Sequence, residues 1–176
     1  KFIVGADGPL SIISRSLYGK VKNLRKNTAV GIVAKLPKES IKIMSEDPTY
    51  IKKPNIYFSV VNWGYGWVFP NMDYINIGVA GLIKNNQNMK KVFYKFYKKL
   101  PVITKTKIHP VGHIVPFGRK AIRIGRYDTL LAGDAAGLVE PVTGEGIYFA
   151  LKSGQNAARA IIKNLKAGSN INNEYR

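Results

Sequence analysis

The run Thr129-Leu130-Leu131-Ala132 opens directly onto Gly133-Asp134-Ala135-Ala136-Gly137. A short stretch with no charge reads as a strand buried on both faces, of the parallel kind. The small residues after it require a tight loop, through which backbone can approach a ligand closely. A proline turn and Gly144-Glu145-Gly146 follow, and then a helical segment over about residues 144–166. Its apolar residues Ile147, Ala150, Leu151, Gly154, Ala158, Ile161, Ile162 and Leu165 predict the core-facing stripe. Asp134, at the carboxyl end of the strand, is placed to accept hydrogen bonds from hydroxyls. Thr143 is a candidate N-cap, and the free N–H groups of a helix start can hold a polar or negative ligand atom. The same string without a ligand is a glycine-rich turn with Asp134 as a local cap. Residue by residue, the two readings stay open.

The remainder places this segment in a larger plan. Residues 2–4 read as a strand leading into Gly5-Ala6-Asp7-Gly8, and residues 11–17 as one or two helical turns. Residues 20–27 form a basic loop, 28–36 a strand, and 37–54 an irregular stretch punctuated by Pro37, Pro48 and Pro54. Three β-rich runs (55–62, 65–69 and 74–81) have short separators, the pattern of an antiparallel meander. Between Lys84 and Lys99, Met89, Val92, Phe93, Phe96, Tyr97 and Leu100 recur at helical spacing. Lys90, Lys91, Lys95, Lys98 and Lys99 fall mostly on the other face, so a helix with a solvated lysine side is predicted. Residues 107–115 make another strand, ended by Pro116 and Gly118.

This order predicts two pieces of one α/β domain around an inserted antiparallel sheet. The expected boundaries are residues 1–19 and 119–166 for the α/β pieces, 20–118 for the insert and 167–176 for a polar tail. The first residues read as the interior of a fold, and the chain is expected to be a piece of a larger protein.

Composition narrows the chemistry. There is no cysteine, which removes disulfides, thiolate metal sites and a cysteine nucleophile, and two histidines are too few for a zinc cluster. His109 and His113 read as ordinary strand or loop positions. Apolar runs stop well short of the ~18 residues that span a bilayer. Neither glycine pair, at 64 and 66 or at 144 and 146, has the third glycine of a dinucleotide fingerprint. The net charge of +18 admits nucleic acid or an anionic membrane. Its scatter without a long tract argues against a dedicated nucleic-acid surface, and the lysine helix reads first as a solvated surface helix; if that face binds anything, anionic lipid headgroups and nucleic-acid phosphates are both admissible.

Taken whole, residues 133–154, GDAAGLVEPVTGEGIYFALKSG, resemble the second FAD-contact motif of flavoproteins with the p-hydroxybenzoate hydroxylase fold. Gly137, where aromatic hydroxylases usually have histidine, and TGEG make the string most similar to the geranylgeranyl reductase family. VGADGPLSIISR (residues 4–15) resembles the GADG-x-x-S motif of the same superfamily, with Ser14 at a place often held by arginine. YGWVFP (residues 65–70) is similar to the Y-x-W-x-F-P motif of the reductases, followed here by Asn71 instead of lysine. On the residues alone, Tyr65, Trp67 and Phe69 equally fit a strand whose alternate side chains face a core.

The resemblance implies a Rossmann-like FAD-binding domain in pieces around an antiparallel-sheet substrate domain, a mixed α+β and α/β fold. It implies FAD contacts from Asp7, Gly8, Gly133, Asp134, Ala135, Pro141, Thr143, Gly144, Glu145, Gly146 and Ile147, with Asp134 on the ribityl chain. Tyr65, Trp67, Phe69 and Pro70 would hold an isoprenoid chain. The implied reaction is reduction of C=C bonds in geranylgeranyl lipids of the digeranylgeranylglycerophospholipid type. Hydride would come from reduced flavin, and NAD(P)H or reduced ferredoxin would be the reductant. A catalytic side chain is not identified. The protein is expected in the cytoplasm, with peripheral membrane contact through Lys90, Lys91 and Lys95. The ADP-binding half of such a domain lies upstream of GADG and is expected outside these residues. Other flavoenzymes of this fold (monooxygenase, halogenase, quinone-linked dehydrogenase) and a basic nucleic-acid-binding module are the competing readings.

Overall fold

The computed structural model describes residues 1–19, 28–47, 49–86, 88–116 and 124–167. The basic loop expected at 20–27, Gly118 and the polar tail from residue 168 lie outside them. In chain order the elements are β1 (Ile3–Gly5), α1 (Ile12–Tyr18), β2 (Thr28–Pro37), β3 (Ile41–Ile43), β4 (Asn55–Tyr57), β5 (Gly64–Pro70), β6 (Tyr74–Leu82), α2 (Met89–Tyr97), β7 (Val102–Thr104), β8 (Val111–Pro116), β9 (Gly125–Arg126), β10 (Thr129–Leu131) and α3 (Ile147–Ala167). They form two compact units: residues 1–28 with 115–176, and residues 29–114. The mixed α/β and antiparallel architecture expected from the sequence is the one observed.

In the first unit, β1 pairs in parallel with β10, Val4 opposite Leu130, and β9 adds antiparallel to β10. Leu130 is fully buried and packs with Ala157 and Ala160 of α3. A side chain at Gly5 would come within 2.9 Å of Ile13 and Leu131, so α1 can lie this close to the sheet only over glycine. The start of α1 is closed twice. Ser11 Oγ accepts the Ser14 N–H at 2.8 Å, and the Asp7 carboxylate accepts the Ile12 N–H at 2.7 Å.

The expected stripe of α3 is corrected here. The residues facing inward are Ser153, Ala157 and Ala160, joined from the expected set by the half-buried Ile161, whereas Ile147 and Leu151 are 77% and 66% exposed, and Ile162 and Leu165 also face outward. The helix lies against β10, and that close approach selects small side chains. The larger apolar residues are left on the outer face. The helix also begins at Ile147, three residues later than expected.

In the second unit, β2 and β6 pair antiparallel from Ala29↔Leu82 to Pro37↔Tyr74. Together with β4, β5 and β8 they make a sheet of order β4-β5-β6-β2-β8. Helix α2, capped by Asn88 Oδ1 accepting the Lys91 N–H at 3.0 Å, covers one face. Met89, Phe93 and Phe96 pack there on Val68, Ile75, Ile77 and Val79, with Ala34 and Leu36 in the same cluster. The lysines of α2 are exposed, as its spacing predicts. Two differences have local causes. The strand expected over 55–62 ends at Tyr57, because Ser59 and Trp63 take left-handed conformations (φ 64° and 51°) that turn the chain. The stretch expected to be irregular contains β3, which pairs with β7 as a separate ribbon.

Candidate functional site

Two features collect the candidate residues, one in each unit. In the first unit the chain leaves β10, makes a 3-10 turn over Gly133–Ala136 and reverses at Gly137, which has φ 70°. Gly133 has φ 55°, and a side chain there would meet Ala150 at 3.1 Å. The Gly133 N–H donates to the buried Ser153 hydroxyl at 2.9 Å. That bond ties the turn to α3. The turn, the GADG loop and the first turn of α3 line a cleft of about 480 Å³. Gly8, Gly133, Asp134, Gly144, Gly146 and Ile147 line it, joined by Ala6, Val115, Ala132, Val139 and Ala150.

Asp134 is the polar group of this cleft. Its side chain is half-buried, and burial holds the carboxyl above the ordinary carboxylate range. Among the described residues no protein donor reaches the carboxylate. A half-buried acceptor with no partner is costly unless a ligand supplies donors. A side chain at Gly146 would stand 3.6 Å from Asp134 Oδ1 and 3.4 Å from Val139, narrowing the cleft.

The other cofactor candidates are placed differently. Asp7 turns its carboxylate onto α1, and those hydrogen bonds, Ser11 foremost, lower its pKa. Ala135 is buried behind the turn. Pro141, Thr143 and Glu145 belong to a loop that closes on itself; Gly144 and Gly146 of this loop line the cleft, and these three residues do not. In that loop Glu140 accepts the Val142 N–H at 3.0 Å, the Thr143 N–H at 2.6 Å and the Thr143 hydroxyl at 2.8 Å, which hold its carboxyl below the usual range. Thr143 is therefore not the cap of α3. The cap is the Glu145 carboxylate, which accepts the Tyr148 N–H at 2.7 Å and places an acid at the positive end of the helix. Ser153 and Val139 gave no signal in the sequence beyond being small or apolar.

In the second unit, Tyr65, Trp67 and Phe69 alternate with Gly66 and Val68 along β5. Gly66 lies under the Phe96 ring of α2, where a side chain would come within 2.9 Å. The three aromatics therefore project from the opposite face of the sheet, away from the α2 core. They form a wall: ring centroids are 5.8 Å apart from Tyr65 to Trp67 and 5.9 Å from Trp67 to Phe69, the latter pair stacked. Beside the wall runs a floor of small residues, Ala80 and Gly78 on β6 and Gly31 and Val33 on β2. The Trp67 indole lies over Gly78, where any side chain would collide with it, and its N–H donates to Asn76 Oδ1 at 2.9 Å. Pro70 ends β5 one residue past Phe69 on the other face, half-buried.

A probable FAD-dependent monooxygenase from Pseudomonas aeruginosa superposes over 99% of this chain and 49% of its own, with TM-score 0.62 at 16% identity. A geranylgeranyl bacteriochlorophyll reductase-like protein from Thermoplasma acidophilum does so over 99% of this chain and 43% of its own, with TM-score 0.71 at 24% identity.

In sequence, the chain is 32% identical over 179 residues to the chloroplastic geranylgeranyl diphosphate reductase of Nicotiana tabacum, covering 98% of this chain and 36% of that protein. It is 32% identical over 165 residues to the digeranylgeranylglycerophospholipid reductase of Thermoplasma volcanium, covering 90% of this chain and 40% of that protein. No protein-family model matches. The chain has its homologues among the geranylgeranyl reductases, and it spans well under half the length of those it matches.

Proposed function

We propose that the protein is an FAD-dependent reductase of C=C bonds in geranylgeranyl chains. The observation that carries the cofactor half is Asp134, a half-buried carboxylate that meets no donor among the described residues, facing a cleft lined by Gly8, Gly133, Gly144 and Gly146. The residues present fit FAD. Asp134 would accept hydrogen bonds from ribityl hydroxyls, and the glycines leave backbone exposed for close approach. The first turn of α3 would face ligand atoms that carry negative charge. FAD, when bound and reduced, supplies the hydride chemistry. The chain's part is to hold and orient it, and to keep the substrate in place.

The aromatic wall on β5 is the proposed substrate strip. Tyr65, Trp67 and Phe69 offer a linear apolar surface beside a small-residue floor, which suits a prenyl chain. Pro70 ends the strand on the opposite face and is left out of the strip. Related proteins are named for geranylgeranyl diphosphate and for digeranylgeranylglycerophospholipid as substrates, and a ligand of either kind suits the strip. The reductant is NAD(P)H or reduced ferredoxin, and the lysine face of α2 is the proposed contact with an anionic membrane.

The test is anaerobic turnover of the full-length protein. Purified protein should carry FAD, and the reduced enzyme should be reoxidised by a geranylgeranyl lipid that gains two hydrogens per bond reduced. Absence of flavin overturns the reading. Oxygen-dependent hydroxylation of the lipid assigns the protein to the monooxygenases of the same fold instead.

A further inference from the structure

Beyond Trp67 the aromatic wall ends on a row of donors. The register places Phe69 opposite Asn76 and Asn76 opposite Lys35, so one line of side chains crosses β5, β6 and β2 on the outer face. Direct cross-strand neighbours of this kind have Cβ atoms roughly 4.5–5.5 Å apart. Chemistry settles the orientation of Asn76. An indole N–H can only donate, so the atom it meets is Oδ1, and the amide NH2 is turned away from Trp67. Among the described residues no acceptor meets that amide. Lys35, next in the row, is exposed, and its Nζ stands 5.1 Å from the centre of the Tyr74 ring. The Tyr74 hydroxyl in turn accepts from Asn71 Nδ2 at 2.8 Å. A cation over an aromatic face is held in place without being neutralised. No carboxylate pairs with Lys35 among the described residues.

We propose that Lys35 and Asn76 form an anion subsite that takes the phosphate or diphosphate ester at the head of a prenyl chain whose tail lies along Tyr65, Trp67 and Phe69. The proposal rests on the substrate strip described above and adds its polar end. The strip is apolar along β5 and changes to ammonium and N–H donors within one residue row. That matches an amphiphile with an anionic head on a linear tail. Lysine supplies the charge and asparagine a directed donor to phosphate oxygen. The ester could belong to a prenyl diphosphate or to a diprenyl glycerophospholipid; the phosphate chemistry is common to both.

The experiment measures dissociation constants on the full-length protein for geranylgeranyl diphosphate, digeranylgeranylglycerophosphate and uncharged geranylgeraniol. Lys35→Met should weaken both phosphate-bearing ligands roughly tenfold and leave geranylgeraniol within about twofold. A loss confined to one of the two supports the subsite and identifies its source. Lys35→Arg should restore most of the affinity. Asn76→Asp keeps the acceptor for Trp67, so the near-ultraviolet circular dichroism should stay unchanged while the phosphate-bearing ligands weaken. Trp67→Ala should weaken all three ligands. If Lys35→Met binds both phosphate-bearing ligands as the parent does, the subsite is overturned and the strip stands. If the parent does not bind geranylgeraniol, or Trp67→Ala has no effect, the strip falls and the subsite with it.

Discussion

The Ser153 hydroxyl accepts the Gly133 N–H at 2.9 Å and donates to the Ala150 carbonyl at 3.1 Å. One buried side chain on α3 thus fixes the turn that carries Asp134. Ser153→Ala leaves a buried N–H without this partner, at a cost of about 1–3 kcal/mol. Chemical denaturation should show a lower midpoint. FAD affinity should fall with it, because the turn loses its anchor. An unchanged midpoint would mean that the turn is held by other contacts.

Asp134 gives a prediction with a sign. Burial raises its pKa above 3.8, so its contribution to stability is fully present below that pH and is lost as pH rises through the folded value. At neutral pH the ionised carboxylate therefore opposes folding of the unliganded protein. Asp134→Asn should raise the melting temperature of the flavin-free protein at pH 7, and the gain should vanish below about pH 3.8. The same change should weaken FAD roughly tenfold or more, since hydrogen bonds to a charged acceptor are the stronger ones. Stability and binding moving in opposite directions separates a ligand-directed carboxylate from a structural one.

Gly78 and Trp67 form a seat and its occupant. A methyl group at residue 78 would collide with the indole, and the ring would have to leave Asn76 and its stack on Phe69. Gly78→Ala should cost about 1–3 kcal/mol, as overpacking does. It should also change the near-ultraviolet circular dichroism and reduce geranylgeraniol affinity. Retained dichroism with retained affinity would show that the wall does not depend on this seat.

How far the residues disclosed all this depends on what each signal encodes. The GDAAG turn was legible because small residues after an apolar run leave few backbone options. Helix α2 was legible because its apolar and lysine faces differ sharply, with Met89, Phe93 and Phe96 buried. The side taken by Tyr65, Trp67 and Phe69 was not legible. A period of two says that they share a face, not which face, and the choice is made by Phe96 settling on Gly66. Helix α3 misled for a related reason. Its large apolar residues give the clearer stripe, yet a helix that approaches β10 closely must present Ala157 and Ala160. Ser153 carried no signal because its partner is a backbone N–H twenty residues away in sequence.

Phe93 tests the core beneath the strip. It is fully buried, with its ring stacked 6.5 Å from Tyr97 and edge-on to Tyr94 at 5.5 Å. Phe93→Ala should destabilise the protein by about 3–5 kcal/mol. The aromatic wall lies on the opposite face of the sheet. In protein that remains folded, ligand affinity should therefore fall much less than stability. An equal loss of both would mean that the two faces are coupled.

The exposed lysines of α2 make the last prediction. Lys90, Lys91 and Lys95 stand on a helix whose other side is spent on the core, and no ion pair neutralises them among the described residues. Near an anionic bilayer each is worth about 1 kcal/mol, so replacing all three with glutamine should weaken binding of the full-length protein to anionic vesicles about a hundredfold. Fold and flavin content should be unaffected, because none of the three side chains packs in the core. Raising the ionic strength should imitate the substitution, since exposed charges are screened over about 8–10 Å at physiological salt. Vesicle binding that survives the triple change, or that is equally strong on uncharged lipid, would remove the membrane role from this face.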